Sequence, residues 1–348
     1  MLPGQESGAA QELERLVRQA IEEDLGAYGD LTSADPTTSA WFDAIWECRY
    51  FPENLPVDRA TGSFVSRCEG ILAGTAPAAL TFRLLDRSAE VVWDLGEGEA
   101  FGKNTRLGTV RAGLPALFAG ERTALDFLCH LSGVATAARR LVEAAKAVSP
   151  SITVRDTRKT LPGLRLLEKS AAAAGGIVNH RMSLRDGILL KDNHLALLQI
   201  SRGADGGESG VGRLLADGAD KDQHGKNHSS NNRISASAER INILRKFVDA
   251  AKKRLPGALV EIEADNFGSA LEAAEAGADV VLLDNMSPSE IRRIVEAIGG
   301  RVKLEASGGI DETNIAEYAA TGVDFIAVGS VTHSARACDI SLEIGEDR

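Results

Sequence analysis

The chain has 348 residues, 44% hydrophobic and 26% charged, ordinary proportions for a soluble globular protein large enough for two domains. Its net charge of −11 argues against a nucleic-acid-binding surface, which would be basic overall. Four scattered cysteines (Cys48, Cys68, Cys129 and Cys338) form no C-x-x-C pair, so neither a disulfide framework nor a zinc knuckle is expected. The first residues have no basic or apolar leader, and no apolar run approaches the roughly 20 residues of a bilayer span. A cytoplasmic protein with no nucleic-acid or membrane partner is therefore expected.

In chain order, Leu13, Leu16, Val17, Ala20 and Ile21 recur at helical spacing and predict an amphipathic helix closed near Gly26. The segment from Ala40 to Gly62, with Trp41, Trp46 and Pro56, fits no simple pattern. Phe64 to Gly74 and Ala89 to Leu95 read as strands with Gly-marked turns. Residues 1–120 thus predict a mixed α/β domain, with which a C-terminal tail of about 335–348 can pack. Glu121 to Ala147 reads as a long helical stretch, with Ser132-Gly133 as a candidate break.

From Ile152 onward β and α patterns alternate. Apolar runs at Ile152–Val154, Ile188–Leu190, Leu259–Ile262, Val280–Leu283, Val302–Leu304 and Phe325–Val328 are separated by helical patterns such as Phe267–Ala276, Pro288–Ile298 and Asp311–Ala320. Such repeats predict parallel strands. The expectation for residues 121–334 is an α/β barrel, incomplete or with fewer than eight strands; an open doubly wound sheet is the alternative. The polar, Gly-rich stretch from Ser201 to Ser237 reads as a mobile insertion. His224 and His228 lie within it, four residues apart, and are better explained by a free loop than by a metal pair.

The chemistry gathers where the apolar runs end. Asp156-Thr157-Arg158-Lys159-Thr160 follows Ile152–Val154, Asn179-His180-Arg181 follows Gly176–Val178, and Lys191-Asp192-Asn193-His194 follows Ile188–Leu190. A barrel gathers its site at these C-terminal strand rims, and the cations imply a substrate with several negative charges. Glu261-Ile262-Glu263 places both acids on one face of a strand. Ser307-Gly308-Gly309 and Gly329-Ser330 follow the last two strand runs, where glycines let backbone N–H groups approach a phosphate.

These clusters, with Glu121-Arg122-Thr123, His130-Leu131-Ser132-Gly133, Leu283-Asp284-Asn285-Met286 and Thr332-His333-Ser334, occur in one order that resembles quinolinate phosphoribosyltransferase. The resemblance runs from about Ala20 to the C-terminus, apart from the two unassigned segments. It implies transfer of a phosphoribosyl group from phosphoribosyl pyrophosphate (PRPP) to quinolinate with loss of carbon dioxide, assisted by magnesium. By matching position, Arg122, Arg158, His180 and Arg181 line the acceptor pocket, Arg122 entering from a neighbouring subunit of at least a homodimer. Planar Arg forks suit the two adjacent carboxylates of quinolinate. Lys159 and Lys191 match lysines near donor and acceptor, with an ion pair to Glu263 or Asp284 as the structural alternative. Glu263 and Asp284 match acids near the ribose hydroxyls and the metal, held mostly through waters and substrate. Ser307, Gly308, Gly309, Gly329, Ser330 and His333 fall at the phosphate end.

The pattern has departures: Leu161 stands where the family usually has a hydroxyl residue, Asp126 and Cys129 replace an amide pair, and Ser170 replaces a frequent aromatic. Three other readings remain open at this point. They are a related phosphoribosyltransferase with a monocarboxylate acceptor, a molybdenum-transport-associated homologue, and a non-catalytic anion-binding barrel.

Overall fold

The structure, a computed structural model, describes residues 5–26, 29, 59–191, 194 and 230–345. By contacts the chain divides into two compact units. The first comprises Met1–Glu143, Asp156–Asn179 and Gly329–Arg348; the second comprises Ala144–Arg155 and His180–Val328.

The first unit opens with α1 (Gln5–Leu25), whose Leu16, Val17 and Ile21 are buried. Its sheet is antiparallel, in the order β12 (Ile340–Gly345), β1 (Arg59–Ser66), β5 (Arg106–Gly113), β3 (Glu90–Trp93). Strict alternation along β1 buries Ala60, Gly62, Phe64 and Ser66 on one face. Phe64 anchors the core there, stacked on Trp93 at 5.0 Å and edge-on to Phe82 at 6.2 Å. The short strands β2 (Gly70–Ile71) and β4 (Ala100–Phe101) pair separately. Between them lies α2 (Thr75–Leu85), an element the strand reading of this region did not contain.

The long helix α3 (Leu114–Val148) belongs to this unit as far as Glu143 and is unbroken at Ser132-Gly133, correcting the expected break. Gly133 is small for packing rather than for bending. A Cβ there would sit 2.3 Å from the Arg336 carbonyl oxygen. Helix α4 (Arg165–Ala174) completes the unit between its two polar loops.

The second unit is built on six parallel strands: β6 (Thr153–Arg155), β7 (Ile188–Leu190), β8 (Val260–Ala264), β9 (Val280–Asp284), β10 (Lys303–Ser307) and β11 (Phe325–Ala327). Their spatial order is β6-β11-β10-β9-β8-β7. Each strand therefore neighbours the next in sequence except β6 and β7. That is the cyclic order of an α/β barrel left open at one seam, not the reversing order of a doubly wound sheet. The Gly176–Val178 run, between β6 and β7 in sequence, contributes only a single bridge residue, Val178.

Burial of Val280, Val281, Leu282 and Leu283 on both faces of β9 is the mark of a parallel strand with covered faces. Three helices alternate with these strands. They are α5 (Ser230–Arg254), α6 (Phe267–Glu275) and α7 (Pro288–Ile298). Capping boxes at Asn266/Ser269 and Ser287/Glu290 fix the starts of α6 and α7. Helix α5 begins at Ser230, so Ser230–Ser237, expected in the insertion, are helical. The rest of that insertion, with His224 and His228, and nearly all of the Ala40–Gly62 segment lie outside the described residues.

Two short helices, α8 (Ile315–Ala319) and α9 (Ser330–His333), follow β10 and β11. The first starts later than the expected Asp311. The Asp311 carboxylate accepts from Thr313 N–H at 2.8 Å and Oγ1 at 2.6 Å, which holds a turn before the helix. Among the described residues no helix is long and apolar enough to cross a membrane. Cys68, Cys129 and Cys338 are free thiols.

Candidate active site

The polar residues of the second unit stand at or near the C-terminal ends of successive strands. Register pairs Arg155 with Ala327, Ala327 with Ser307, and Ser307 with Asp284; one strand further, Glu263 pairs with Leu282 and Leu190 with Ile262. Lys191, just past β7, reaches Glu263 at 3.3 Å. The ion pair offered as the structural alternative for Lys191 is thus formed, with Glu263. Asp284 Oδ2 accepts from the side chain of Asn285 at 2.8 Å, and Asn285 holds a left-handed backbone with φ of 55°. Gly308, φ 94°, packs on that same residue: a Cβ would lie 2.3 Å from Asn285 Oδ1. Only glycine fits. Asn314 Nδ2 then donates to the Gly309 carbonyl at 2.9 Å and pins the rest of the turn.

Deeper on the same strands lies a second group. His180 Nε2 is 3.0 Å from Glu261 Oε2 and 3.6 Å from Glu305 Oε1. Glu305, fully buried, accepts from Arg155 Nη1 at 2.7 Å, and the Arg155 guanidinium lies 3.5 Å over the Phe325 ring. Burial, reinforced by the Glu261 carboxylate, pushes Glu305 up to about 7, against the pull of His180 and Arg155. His180, Glu261 and Glu305 also form the one three-residue group with metal-ligand geometry among the described residues. Arg181 Nη1 donates to the Gly187 carbonyl at 3.0 Å.

The first unit holds the cationic loop. Its base is Lys169 on α4, buried and ion-paired with the equally buried Asp156. Burial lowers the Lys169 pKa, and Asp156 opposes the fall. With its amide turned to satisfy these neighbours, Asn179 donates to Asp156 Oδ2 at 2.6 Å and to the Lys169 carbonyl at 2.9 Å. Above this base the loop is held by a backbone bond of its own and by a side chain of α9. Thr160 N–H donates to the Arg158 carbonyl at 3.1 Å, and Thr332 Oγ1 to the Lys159 carbonyl at 2.6 Å. Arg158 Nε is buried with no hydrogen-bond partner among the described residues. Gly329 faces Lys159, Thr157 and His333, each within 3.4 Å of where its Cβ would stand, and Ser330 follows as the first residue of α9. The structure thus brings Lys159, Gly329 and His333 together.

Arg122 stands apart from them on α3. It is 62% exposed and 3.4 Å from Asp126. Such an exposed pair contributes little, so the guanidinium is held only loosely. Leu161, at the departure from the family pattern, is partly exposed; its N–H donates to buried Glu168 at 3.0 Å, and Glu168 also meets His130 at 2.9 Å. The sequence reading gave no role to Glu261, Glu305, Lys169, Asn179 or Glu168. An acid inside an apolar strand run, as in Leu304-Glu305-Ala306, was the available signal for Glu305.

The second unit thus carries acids, a lysine and a serine at its parallel strand ends, and the first unit carries an Arg-Lys loop. Comparison with known proteins makes this specific. The profile of the quinolinate phosphoribosyl transferase C-terminal domain matches residues 134–204 and 230–343, and that of its N-terminal domain matches residues 40–132. A probable nicotinate-nucleotide pyrophosphorylase (carboxylating) of Methanothermobacter thermautotrophicus is 35% identical over 83% of this chain and 90% of its own length. One from Bacillus subtilis is 31% identical over 96% of this chain and 93% of its own. The solved nicotinate-nucleotide pyrophosphorylase of Francisella tularensis superposes with a TM-score of 0.73 at 29% identity, covering 96% of each chain. The chain belongs to the quinolinate phosphoribosyltransferase family, enzymes of NAD biosynthesis.

Two predictions follow from the buried charges. Lys169→Met, which strands Asp156 without a counter-charge, is expected to cost about 3–5 kcal/mol in urea unfolding; a loss under about 1 kcal/mol would show the pair dispensable. Glu305 binds its proton more tightly folded than unfolded, so its contribution to stability is greatest below about pH 4.5 and is lost as pH rises towards 7. Glu305→Gln lacks that loss. Its stability relative to the parent chain should improve from pH 5 to pH 8 by on the order of 3 kcal/mol. A pH-independent difference would contradict the assignment.

Proposed function

We propose that the chain transfers the phosphoribosyl group of PRPP to the ring nitrogen of quinolinate and releases carbon dioxide, giving nicotinate mononucleotide and pyrophosphate. The observation that carries this reading is the row of strand ends in which Lys191, Glu263, Asp284 and Ser307 follow one another. A protein that only held anions would gain nothing from two carboxylates in such a row. A ribosyl donor needs them, because positive charge develops on its ring as pyrophosphate leaves.

Each residue then has a part. Arg158, with its unpartnered Nε, and Arg181 take the acceptor carboxylates, and Arg122 joins them by family position. A monocarboxylate acceptor would leave one of these cations unpaired, which disfavours nicotinate. Lys159 and Lys191 contact donor phosphate and acceptor as point charges. Ser307, Gly308 and Gly309, with Gly329, Ser330 and His333, receive the phosphate through backbone and side-chain donors. Once its nitrogen bears the ribose, the pyridine ring is cationic and accepts the electron pair left when the neighbouring carboxylate departs, so no Schiff base is required. The hard oxygen donors of Glu263 and Asp284 fit magnesium, which would screen the charge of the departing pyrophosphate.

The same reading makes the working form at least a homodimer, with Arg122 reaching a neighbouring chain's site. Its exposure and its weak tie to Asp126 support this. The free thiols of Cys68, Cys129 and Cys338 favour the cytoplasm.

Carbon dioxide release from quinolinate that depends on PRPP is the decisive measurement; turnover of nicotinate instead, or binding without turnover, would overturn the reading. Arg158→Ala and Arg181→Ala should each raise KM for quinolinate roughly 10- to 100-fold with far smaller effects on PRPP. Glu263→Ala and Asp284→Ala should depress kcat instead, and near-normal turnover in either would remove its transition-state role. Mixing inactive Arg122→Ala with inactive Glu263→Ala subunits should restore activity once tagged chains are seen to exchange. Mixed dimers that stay inactive would place Arg122 within its own chain.

A further inference from the structure

His180 matches a family position in the acceptor pocket, yet its two ring nitrogens are directed at protein groups. Nδ1 accepts the backbone N–H of Arg181 at 2.8 Å, and Nε2 lies 3.0 Å from Glu261 Oε2. An accepting Nδ1 carries no proton, so the ring hydrogen sits on Nε2 and is donated to Glu261. Glu305 Oε1 waits 3.6 Å from the same nitrogen, and Glu305 is itself fixed by Arg155. Glu261 and Glu305 are buried, and His180 nearly so, at 13% side-chain exposure. The chain runs directly from this ring into Arg181, whose guanidinium is tied to the Gly187 carbonyl.

We propose that Glu261, His180 and Glu305 form a positioning unit for Arg181. The two buried carboxylates hold the His180 proton on Nε2, so that Nδ1 stays free to grip the Arg181 backbone and the guanidinium is presented to the acceptor. The inference deepens the reaction proposed above and rests on it. Its physical core is a conflict of donors. Without an acceptor beside Nε2, the imidazole can carry its proton on Nδ1, where it would confront the Arg181 N–H donor to donor. The Arg181 backbone would then have to move, and hydrogen bonds weaken steeply as their geometry departs from the ideal, so the fork would hold a carboxylate less well. Acceptor affinity thereby depends on carboxylates that repel the acceptor's own charge and act only through His180.

Two measurements test this. In 15N-edited NMR of the full chain, assigned by loss of signals in His180→Asn, His180 should show a protonated Nε2 and an unprotonated Nδ1. Steady-state kinetics should show Glu261→Ala raising KM for quinolinate roughly tenfold, with KM for PRPP and kcat within about twofold. Glu261→Gln, whose amide oxygen still accepts from Nε2–H, should recover most of that loss. A protonated Nδ1 in the parent chain would overturn the proposal, as would equal losses for both substrates or a Gln variant as weak as Ala. A parent chain that made no carbon dioxide from quinolinate and PRPP would sink the reaction assigned above instead. The tautomer, which needs no turnover, would still judge the positioning unit.

Discussion

A lysine with no exposed surface is the constraint on which the cationic loop depends. Lys169 lies inside α4, and its ammonium meets the buried Asp156 carboxylate, the first residue of the loop that carries Arg158 and Lys159. Asn179 bridges the same two residues and immediately precedes His180 and Arg181. One buried pair therefore anchors the start of the loop that carries Arg158 and Lys159. Desolvating both charges is costly, and the mutual attraction with the Asn179 bonds has to offset it.

The acids are graded in a comparable way along the second unit's sheet. Glu261 and Glu263 share a face of β8, but the inner one is buried against His180 while the outer one meets the partly exposed Lys191. Glu305 on β10 is inner again, and it neighbours Arg155 instead of solvent. Of these acids Glu305 is the one that burial, reinforced by Glu261, pushes up to about 7. Depth along a strand thus converts one residue type into two chemical roles.

Much of this was legible from residue order. The six parallel strands fall where the apolar runs predicted them, because parallel strands covered on both faces leave uninterrupted Val, Ile and Leu signals. The rim residues were legible as polar clusters at the ends of those runs. Other features depended on contacts that no local pattern encodes. Gly133 reads as a breaker, yet it is a point of close approach to Arg336 inside a continuous helix. Helix α2 went unseen because Ala-rich, Pro77-containing sequence gives little amphipathic contrast, and its burial comes from Ala78, Ala79 and Phe82. The start of α8 was displaced by Asp311, whose side chain competes for the backbone before the helix can begin. The inner acids were signalled only as glutamates within apolar runs, and their partners His180 and Arg155 come from other segments of the chain.

The pairing of β12 with β1 carries a consequence for how the chain comes into being. Thr61 lies opposite Gly345 and Ser66 opposite Ile340, so the edge of the first unit's sheet is completed by a strand from far along the chain. Until then β1 presents one unpaired edge, with Phe64 deprived of its neighbour Leu342. The loop that joins the two strands is most of the protein, which makes this contact slow to find by diffusion. A chain truncated before Ile340 would lack the strand that covers this edge and leave β1 open to pairing with another chain.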